Sequence, residues 1–422
     1  MNEPRDIDLP KRLTLVTLAM GLGACGGGGS SGAASGGGGG SLGGGGSGGG
    51  GAITIGALKT VVAGNNLTLA LKTSGSTYVW GENTWGQTAN GNLTTPQSTP
   101  LALAGAATWK SVATGGFHTL GIKTDGTLWA WGLNFNGQLG NGQSGSISPG
   151  QPKYSPIPVK IGVATDWLVV GAGDGHSLGI KGTTTPVLMA WGQNASGQLG
   201  LGNTNPVSLP TQIVVTVPSG RQWASLACSA GYSLALRSDG VVFGWGDNNN
   251  GQLGQLNGPT QLNAPTAINL LTVQTLSIAA GTSHVAAIGQ DNTLWMWGSN
   301  VSGQLGKGPS GTPTIYTVPA QIGTDLWVAV ACGGAHTLAI RLADQTLWTW
   351  GSNSDGQLGD GTTTDANAPH QIGTSRWVAV AAGKLHSMAI DTNGALWAWG
   401  RNAEGQLGNG TTAAVLVPTQ IP

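Results

Sequence analysis

The chain has 422 residues, with 17 basic and 17 acidic side chains, no net charge and only 8% charged residues. Its length is ample for a large core, and a neutral balance without a basic run argues against a nucleic-acid partner. Glycine is extreme at 76 residues, but 18 of these lie between Gly26 and Gly51, so the chain divides into an N-terminal stretch and a body.

The N-terminal stretch reads as a processing signal. Lys11-Arg12 precede an apolar run from Leu13 to Leu22, too short to span a bilayer and of the length of a signal-peptide core. It ends in Leu22-Gly23-Ala24-Cys25, which resembles the lipobox of bacterial lipoproteins. The resemblance implies a leader over residues 1–24 and a lipid on Cys25. Gly26 at the next position favours the outer membrane by analogy with Gram-negative sorting. An ordinary secretion signal with an incidental cysteine is the alternative; Glu3, Asp6 and Asp8 sit in a leader segment that is normally basic. Residues 25–51 then form a Gly/Ser tether that buries too little apolar surface to fold.

The body, residues 52–422, is built on one phrase, Trp-Gly-x-Asn-x-x-Gly-Gln-Leu-Gly. Copies start at Trp131, Trp191, Trp245, Trp297, Trp350 and Trp399, and a worn copy starts at Trp80, with Thr88-Ala89 in place of Leu-Gly. The tryptophans are 51, 60, 54, 52, 53 and 49 residues apart. Fixed periods of this size mark repeat architectures. Within the last unit, Trp377–Ala382 reads as a buried strand, His386–Ile390 as a second and Ala395–Trp399 as a third. Asn393-Gly394, like Asp125-Gly126 and Asp239-Gly240, marks a hairpin turn. The phrase becomes a compact loop whose Leu plugs the core. A Pro-x-x-Ile segment, as at Pro210–Ile213 and Pro369–Ile372, suits an edge strand. Each unit is thus a small antiparallel sheet that cannot bury both faces alone, and radial repetition of such sheets gives a β-propeller.

The phrase, with an upstream Gly-x-x-His, resembles the regulator of chromosome condensation repeat over Ala52 to Pro422; WD and kelch signatures do not fit in register. The resemblance implies an all-β, seven-bladed propeller. The chain stops at Pro418-Thr419-Gln420-Ile421, a segment that elsewhere leads into the next blade, whereas the first unit opens on Ile53-Thr54-Ile55. This predicts that the ring closes by docking the C-terminal strand beside the first blade.

Candidate chemistry has to be separated from repeat chemistry. His118, His176, His284, His336 and His386 share one slot, taken by Leu67 and Tyr232 in two other units. A shared metal would need ligand nitrogens roughly 3.4 Å apart, closer than equivalent sites on neighbouring blades. No metal or cofactor is expected, and each histidine is expected to bond backbone within its own blade. Sixteen of the 17 tryptophans keep repeat register and are expected in the core; Trp85 alone does not. Cys228 and Cys332 share a slot two units apart, too far for a disulfide, and are expected to be buried thiols. Gly28–Gly32 and Gly21–Gly26 match hydrolase and dinucleotide fingerprints only formally, without the required strand–turn–helix setting. The off-template segments are Asn141–Val159, with Lys153 and Tyr154, then Asn203–Arg221 and Gln255–Leu262. Insertions in repeat proteins tend to line the binding face.

These features point to a non-enzymatic, monomeric platform for a protein partner, exported and in contact with membrane only through its lipid. Trp85, Lys153 and Tyr154 are the candidate contacts. Secreted relatives imply an enzyme inhibitor as one variant. The eukaryotic family member implies guanine-nucleotide exchange as another. A glycan-acting enzyme would need a carboxylate constellation, and none is evident.

Overall fold

The computed structural model describes residues 58–93, 96–103, 108–145, 153–268, 273–308 and 314–422. The leader, Cys25, the tether, Ile53–Ile55 and residues 146–152 of the longest insertion lie outside the described residues.

The described chain folds into seven four-stranded antiparallel blades, and no helix occurs among these residues. Blade 1 takes its strands in chain order from Leu58–Ala63, Leu67–Lys72, Thr77–Gly81 and Gln97–Ala102. The first strands of successive blades contact one another around the ring, including Leu58–Ala63 against the last blade, so they line the axis and the fourth strands lie outermost. Four of the blades are separate sheets. Blades 5 to 7 are joined into a ten-stranded sheet because Ile315–Cys332 and Ala366–Ala382 each run from the fourth strand of one blade into the first strand of the next.

Alternating strand direction gives the ring two different faces. One carries the Gly-x-x-His turns and the phrase loops; we call it the loop face. The other carries the hairpins between second and third strands and the linkers between blades; we call it the hairpin face. The hairpins are longer than the two-residue turn that Asn-Gly suggests. Gly126 N–H donates to Lys123 O, and Lys123 N–H donates to Thr127 O, so the turn ends in a left-handed residue and a bulge. That residue is Gly126 (φ 77°) and Gly394 (φ 82°), but Asn292 (φ 65°) in blade 5 and Gln345 (φ 62°) in blade 6.

The phrase is a clasp between blades. Its Asn side chain is the hub of the loop: Asn134 Oδ1 accepts Leu139 N–H at 3.0 Å, and Asn134 Nδ2 donates to Gln143 O at 3.0 Å. This drives Leu139 inward, and Leu199, Leu253, Leu305, Leu358 and Leu407 are buried in the same way. The Gln carbonyl then accepts the indole N–H of the next blade's phrase: Trp131 to Gln87, Trp191 to Gln138, Trp245 to Gln198, Trp297 to Gln252 and Trp399 to Gln357, all at 2.8–2.9 Å. The final glycine of the phrase lies against that same indole.

Closure uses this clasp again. Trp80 Nε1 donates to Gln406 O at 2.9 Å, and Gly410 N–H donates to Ser98 O at 2.8 Å. The C-terminal strand does not dock beside the first blade as expected. Val415–Gln420 pairs with Leu396–Gly400 as the fourth strand of blade 7, and blade 1 has its own fourth strand in Gln97–Ala102. The ring therefore closes between its first and last blades through side-chain packing and hydrogen bonds, without a shared sheet.

Candidate protein-binding face

The histidine slot corrects a second expectation. Each histidine reaches the next blade, not its own. Nε2 of His118, His176, His284, His336 and His386 lies 2.8–3.1 Å from the hydroxyls of Ser177, Ser233, Thr337, Ser387 and Thr68 respectively. Those hydroxyls also bond the phrase carbonyls, as Ser177 to Gln138 O and Ser387 to Gln357 O. A hydroxyl has one hydrogen. With that hydrogen on the glutamine carbonyl, the imidazole is the donor at Nε2. Nδ1 of each ring is buried without a partner for a second proton, and burial holds His118, His284, His336 and His386 down at about 3, so those rings are neutral. A Cβ on Gly383 would collide with the His386 ring, which explains the glycine of Gly-x-x-His. In blade 4, Tyr232 does the same work over a longer reach, its hydroxyl 2.8 Å from Gly281 O of blade 5. The ring of histidines is therefore a structural belt. Among the described residues, no group of three or more His, Cys, Asp or Glu is placed to hold a metal.

The tryptophans divide more finely than their register suggests. Trp80, Trp131, Trp191, Trp245, Trp297, Trp350 and Trp399 are fully buried, and the first-strand tryptophans nearly so. Trp129, Trp295, Trp348 and Trp397 are only half-buried. The first three turn toward the hairpin face, where their indoles donate at 2.9 Å to Thr127, Thr293 and Thr346. Cys228 and Cys332 are buried thiols; burial pushes the Cys332 thiol far above its ordinary range.

Exposed apolar side chains remain at two places on the loop face: Leu256, Val301 and Ile315 on blades 4 and 5, and a group containing an aromatic pair on blades 1 and 2. Trp85, in the worn phrase, stands with its ring centroid 6.4 Å from that of Tyr154, which opens the fourth strand of blade 2. Gly86 packs on Pro156, which brings the two side chains together. Lys153, next to Tyr154, is exposed and gives its carbonyl to Asn134 N–H. The three sequence candidates thus form one group at a blade boundary. Around them stand residues that sequence reasoning missed: Phe135 (54% exposed), Ile157 (53%) and Leu93 (41%). The missed signal was rarity, since the chain has only three phenylalanines.

Beside this group, between blades 7, 1 and 2, opens a cavity of about 360 Å³ whose lining includes Asn66, Glu82, Thr84, Pro96, Phe117 and Glu404. Burial raises the Glu82 carboxyl, the hydrogen bonds from Asn66 and Thr84 oppose this, and the Glu404 charge adds to it. Glu404 is in turn paired with Arg401 at 3.1 Å. At the axial mouth, Asp174 of blade 3 approaches Asn65 of blade 1 at 3.5 Å. Burial raises Asp174 to about 6 against the pull of Lys384 on blade 7. The loop face is acidic as a whole, with Glu82, Asp174, Asp247, Asp355, Asp360, Asp365 and Glu404 against Lys153, Lys307, Lys384 and Arg401.

Comparison with known proteins supplies the lineage. The sequence profile of the RCC1-like domain matches residues 50–324 and 216–422, which together cover the whole propeller. The chain belongs to the RCC1-like domain family. Similar proteins include human HERC6, described as a probable E3 ubiquitin-protein ligase, 33% identical over 258 residues, or 58% of this chain and 24% of that one. The Arabidopsis thaliana ultraviolet-B receptor UVR8 is 29% identical over 307 residues, 71% of this chain and 66% of that one. The chain therefore spans a quarter of the first relative and about two thirds of the second. Among solved structures, human WBSCR16 superposes with a TM-score of 0.70 at 23% identity, over 82% of this chain and 94% of that one. Yeast RCC1 (Prp20) bound to Kap60 gives 0.69 at 22%, over 88% and 85%. At such identities these two likenesses concern the fold. The relatives named include a probable ligase and an ultraviolet-B receptor, so the family fixes a scaffold and leaves the task open.

Proposed function

We propose that this RCC1-like propeller is a non-enzymatic protein-interaction platform, exported and held at the cell envelope by a lipid on Cys25. It takes its partner on the loop face over blades 1 and 2. One observation carries the reading: Trp85 of blade 1 and Tyr154 of blade 2, an aromatic pair that the repeat does not bury, meet at a blade boundary where exposed Ile157 lies against Gly91, with exposed Leu93 and Phe135 on the same two blades. Contiguous exposed apolar groups rimmed by polar ones mark interaction sites, and aromatic anchors dominate binding energy. The neighbouring cavity, with Glu82 and Glu404 around Phe117, suits a basic side chain of the partner.

A photo-crosslinker at position 153 should capture one partner in the native envelope, and Trp85→Ala with Tyr154→Ala should abolish the adduct. An undiminished adduct would exclude this site. Palmitate labelling lost in Cys25→Ser supports the anchor; an unlabelled parent protein removes it. An enzyme as the captured partner would make the platform an inhibitor. Guanine-nucleotide exchange is the second reading. It is favoured by the likeness to yeast Prp20, a solved structure of which is titled for its binding to Gsp1p and histones, and it requires accelerated GDP release from a small GTPase.

A further inference from the structure

The chain is neutral as a whole, yet the fold sorts its charges. The cations of the hairpin face fall into two groups. On blades 4 to 7 they are arginines, and most are neutralised on the spot: Arg237 by Asp239 at 2.8 Å, Arg221 by the same carboxylate at 3.7 Å, and Arg341 by Asp344 and Asp325. On blades 1 to 3 they are lysines: Lys59, Lys72, Lys110, Lys123, Lys160 and Lys181. Each lies at the hairpin-face end of its strand, and among the described residues no lysine joins an ion pair. Their acidic neighbours on these blades are Asp125 and Asp166. Asp125 is engaged by Thr127, whose N–H and hydroxyl both donate to it. Several of the ammonium groups lie over aromatic rings, Lys123 at 3.4 Å from the Trp129 ring centroid and Lys72 at 4.8 Å from that of Tyr78.

Two further observations fall on the same face. Val163, in the linker from blade 2 to blade 3, is 91% exposed, and Val214, in the next linker, is 90% exposed. They are the most exposed large apolar side chains among the described residues. The described chain also enters the propeller here, because Leu58 opens the first strand at its hairpin-face end.

We propose that the hairpin face of blades 1 to 3 is a docking surface for an anionic phospholipid membrane. The lysine crescent supplies charge complementary to phosphate headgroups, and the Trp129 and Tyr78 rings hold the Lys123 and Lys72 ammonium groups in place by cation–π contact without neutralising them. Val163 and Val214 enter the headgroup region as apolar points, which a purely electrostatic partner would leave unused. The described chain also begins on this face, at Leu58. The propeller then lies with its hairpin face on the lipid and its acidic loop face turned away toward the partner. The orientation rests on the envelope reading above; the binding itself does not require the lipid on Cys25.

The ring is closed within the described residues, so a form starting at Gly26, without leader or lipid, keeps every contact described. Its sedimentation with phosphatidylcholine vesicles, with and without phosphatidylglycerol, tests the surface. The expected result is binding only to the anionic vesicles, weakened by salt. Each lysine near a surface contributes about fivefold to partitioning, so Lys110→Gln with Lys123→Gln and Lys160→Gln should lower it on the order of 100-fold. The corresponding lysine-to-arginine variant should retain it, and so should Lys384→Gln on the loop face. Equal binding to neutral vesicles, unchanged binding of the glutamine variant, or binding to an oligonucleotide with none to vesicles would each overturn the proposal. Loss of palmitate labelling with retained vesicle binding would remove the anchor and leave this surface standing.

Discussion

In blades 5 to 7 the chain passes from one blade to the next without leaving its strand, and the phrase between Trp297 and Gly408 is intact in every copy. In blades 1 and 2 the linkers are separate, the first phrase ends in Thr88-Ala89, and the second is followed by the longest insertion. Trp131 bonds Gln87 O as closely as Trp399 bonds Gln357 O, whereas Trp350 of blade 6, in an intact phrase, is buried with its indole N–H unpaired. The worn copy has thus lost phrase residues while keeping the bond to its neighbour. Departure from the template is tolerated where only the rim is altered, and that is where Trp85 and Tyr154 meet.

The largest test of the shared framework is pH. His118, His284, His336 and His386 are held neutral at about 3, while in the unfolded chain they titrate near 6.5. Their folded values are depressed, so the unfolded chain binds more protons between pH 6.5 and 3, and stability falls as pH drops through that window. At about 1 kcal/mol per pH unit for each ring, the four together cost roughly 5–8 kcal/mol by pH 5. Asp174, raised to about 6, acts in the opposite direction as a single group, because its folded carboxyl gains protons first on acidification. The melting temperature should therefore decline steadily below pH 6.5. A flat profile down to pH 5 would break the histidine belt.

Smaller effects probe single clasps. Gly408→Ala puts a methyl carbon 2.6 Å from Trp80 Nε1 at a residue with φ 74°. It should cost about 2–4 kcal/mol through strain and displaced packing. Gly140→Ala, 2.8 Å from Trp191 Nε1, should cost the same, because the closing joint is built like the others. A far larger loss at Gly408, read by urea unfolding, would identify the seam as the weak point. Next, Trp80→Phe removes one indole hydrogen bond and should cost about 1 kcal/mol, because Gln406 O keeps the bond from the Thr68 hydroxyl. Gln345→Gly should stabilise by about 1 kcal/mol, since a left-handed turn position suits glycine, and an unchanged midpoint would show that Gln345 is unstrained. Finally, Trp85→Ala should leave the melting temperature within about 1 kcal/mol of equivalent stability while removing the partner.

The period, the blade count, the buried phrase Trp and Leu and the turn glycines were all legible in the sequence, because each is a local pattern copied seven times. What the pattern could not show is which neighbour a residue meets. His386 and Thr68 are 318 positions apart and 3.1 Å apart in space, so a local reading assigned the histidine to its own blade. The C-terminal strand was misplaced for a related reason: a Pro segment marks an outer edge strand, but not the blade that owns it. The charge sorting was invisible because antiparallel strands interleave two faces along the chain, and a neutral total averages over both. Of the candidate site, Trp85 stood out by missing its register. Phe117, Phe135 and Glu82 sit at repeat positions and become notable only when the ring brings blades 7, 1 and 2 together.

The closure described above has a consequence for how such a ring can be cut and copied. No strand is traded between the first and last blades, so the joint between Val415–Gln420 and Leu58–Ala63 stands where the other blades carry a linker. Linking those two strands and opening another linker on the hairpin face should give a chain with the same clasps in a rotated order. A whole repeat duplicated or deleted during evolution would likewise carry its own four strands, and only the curvature of the circle would have to adjust.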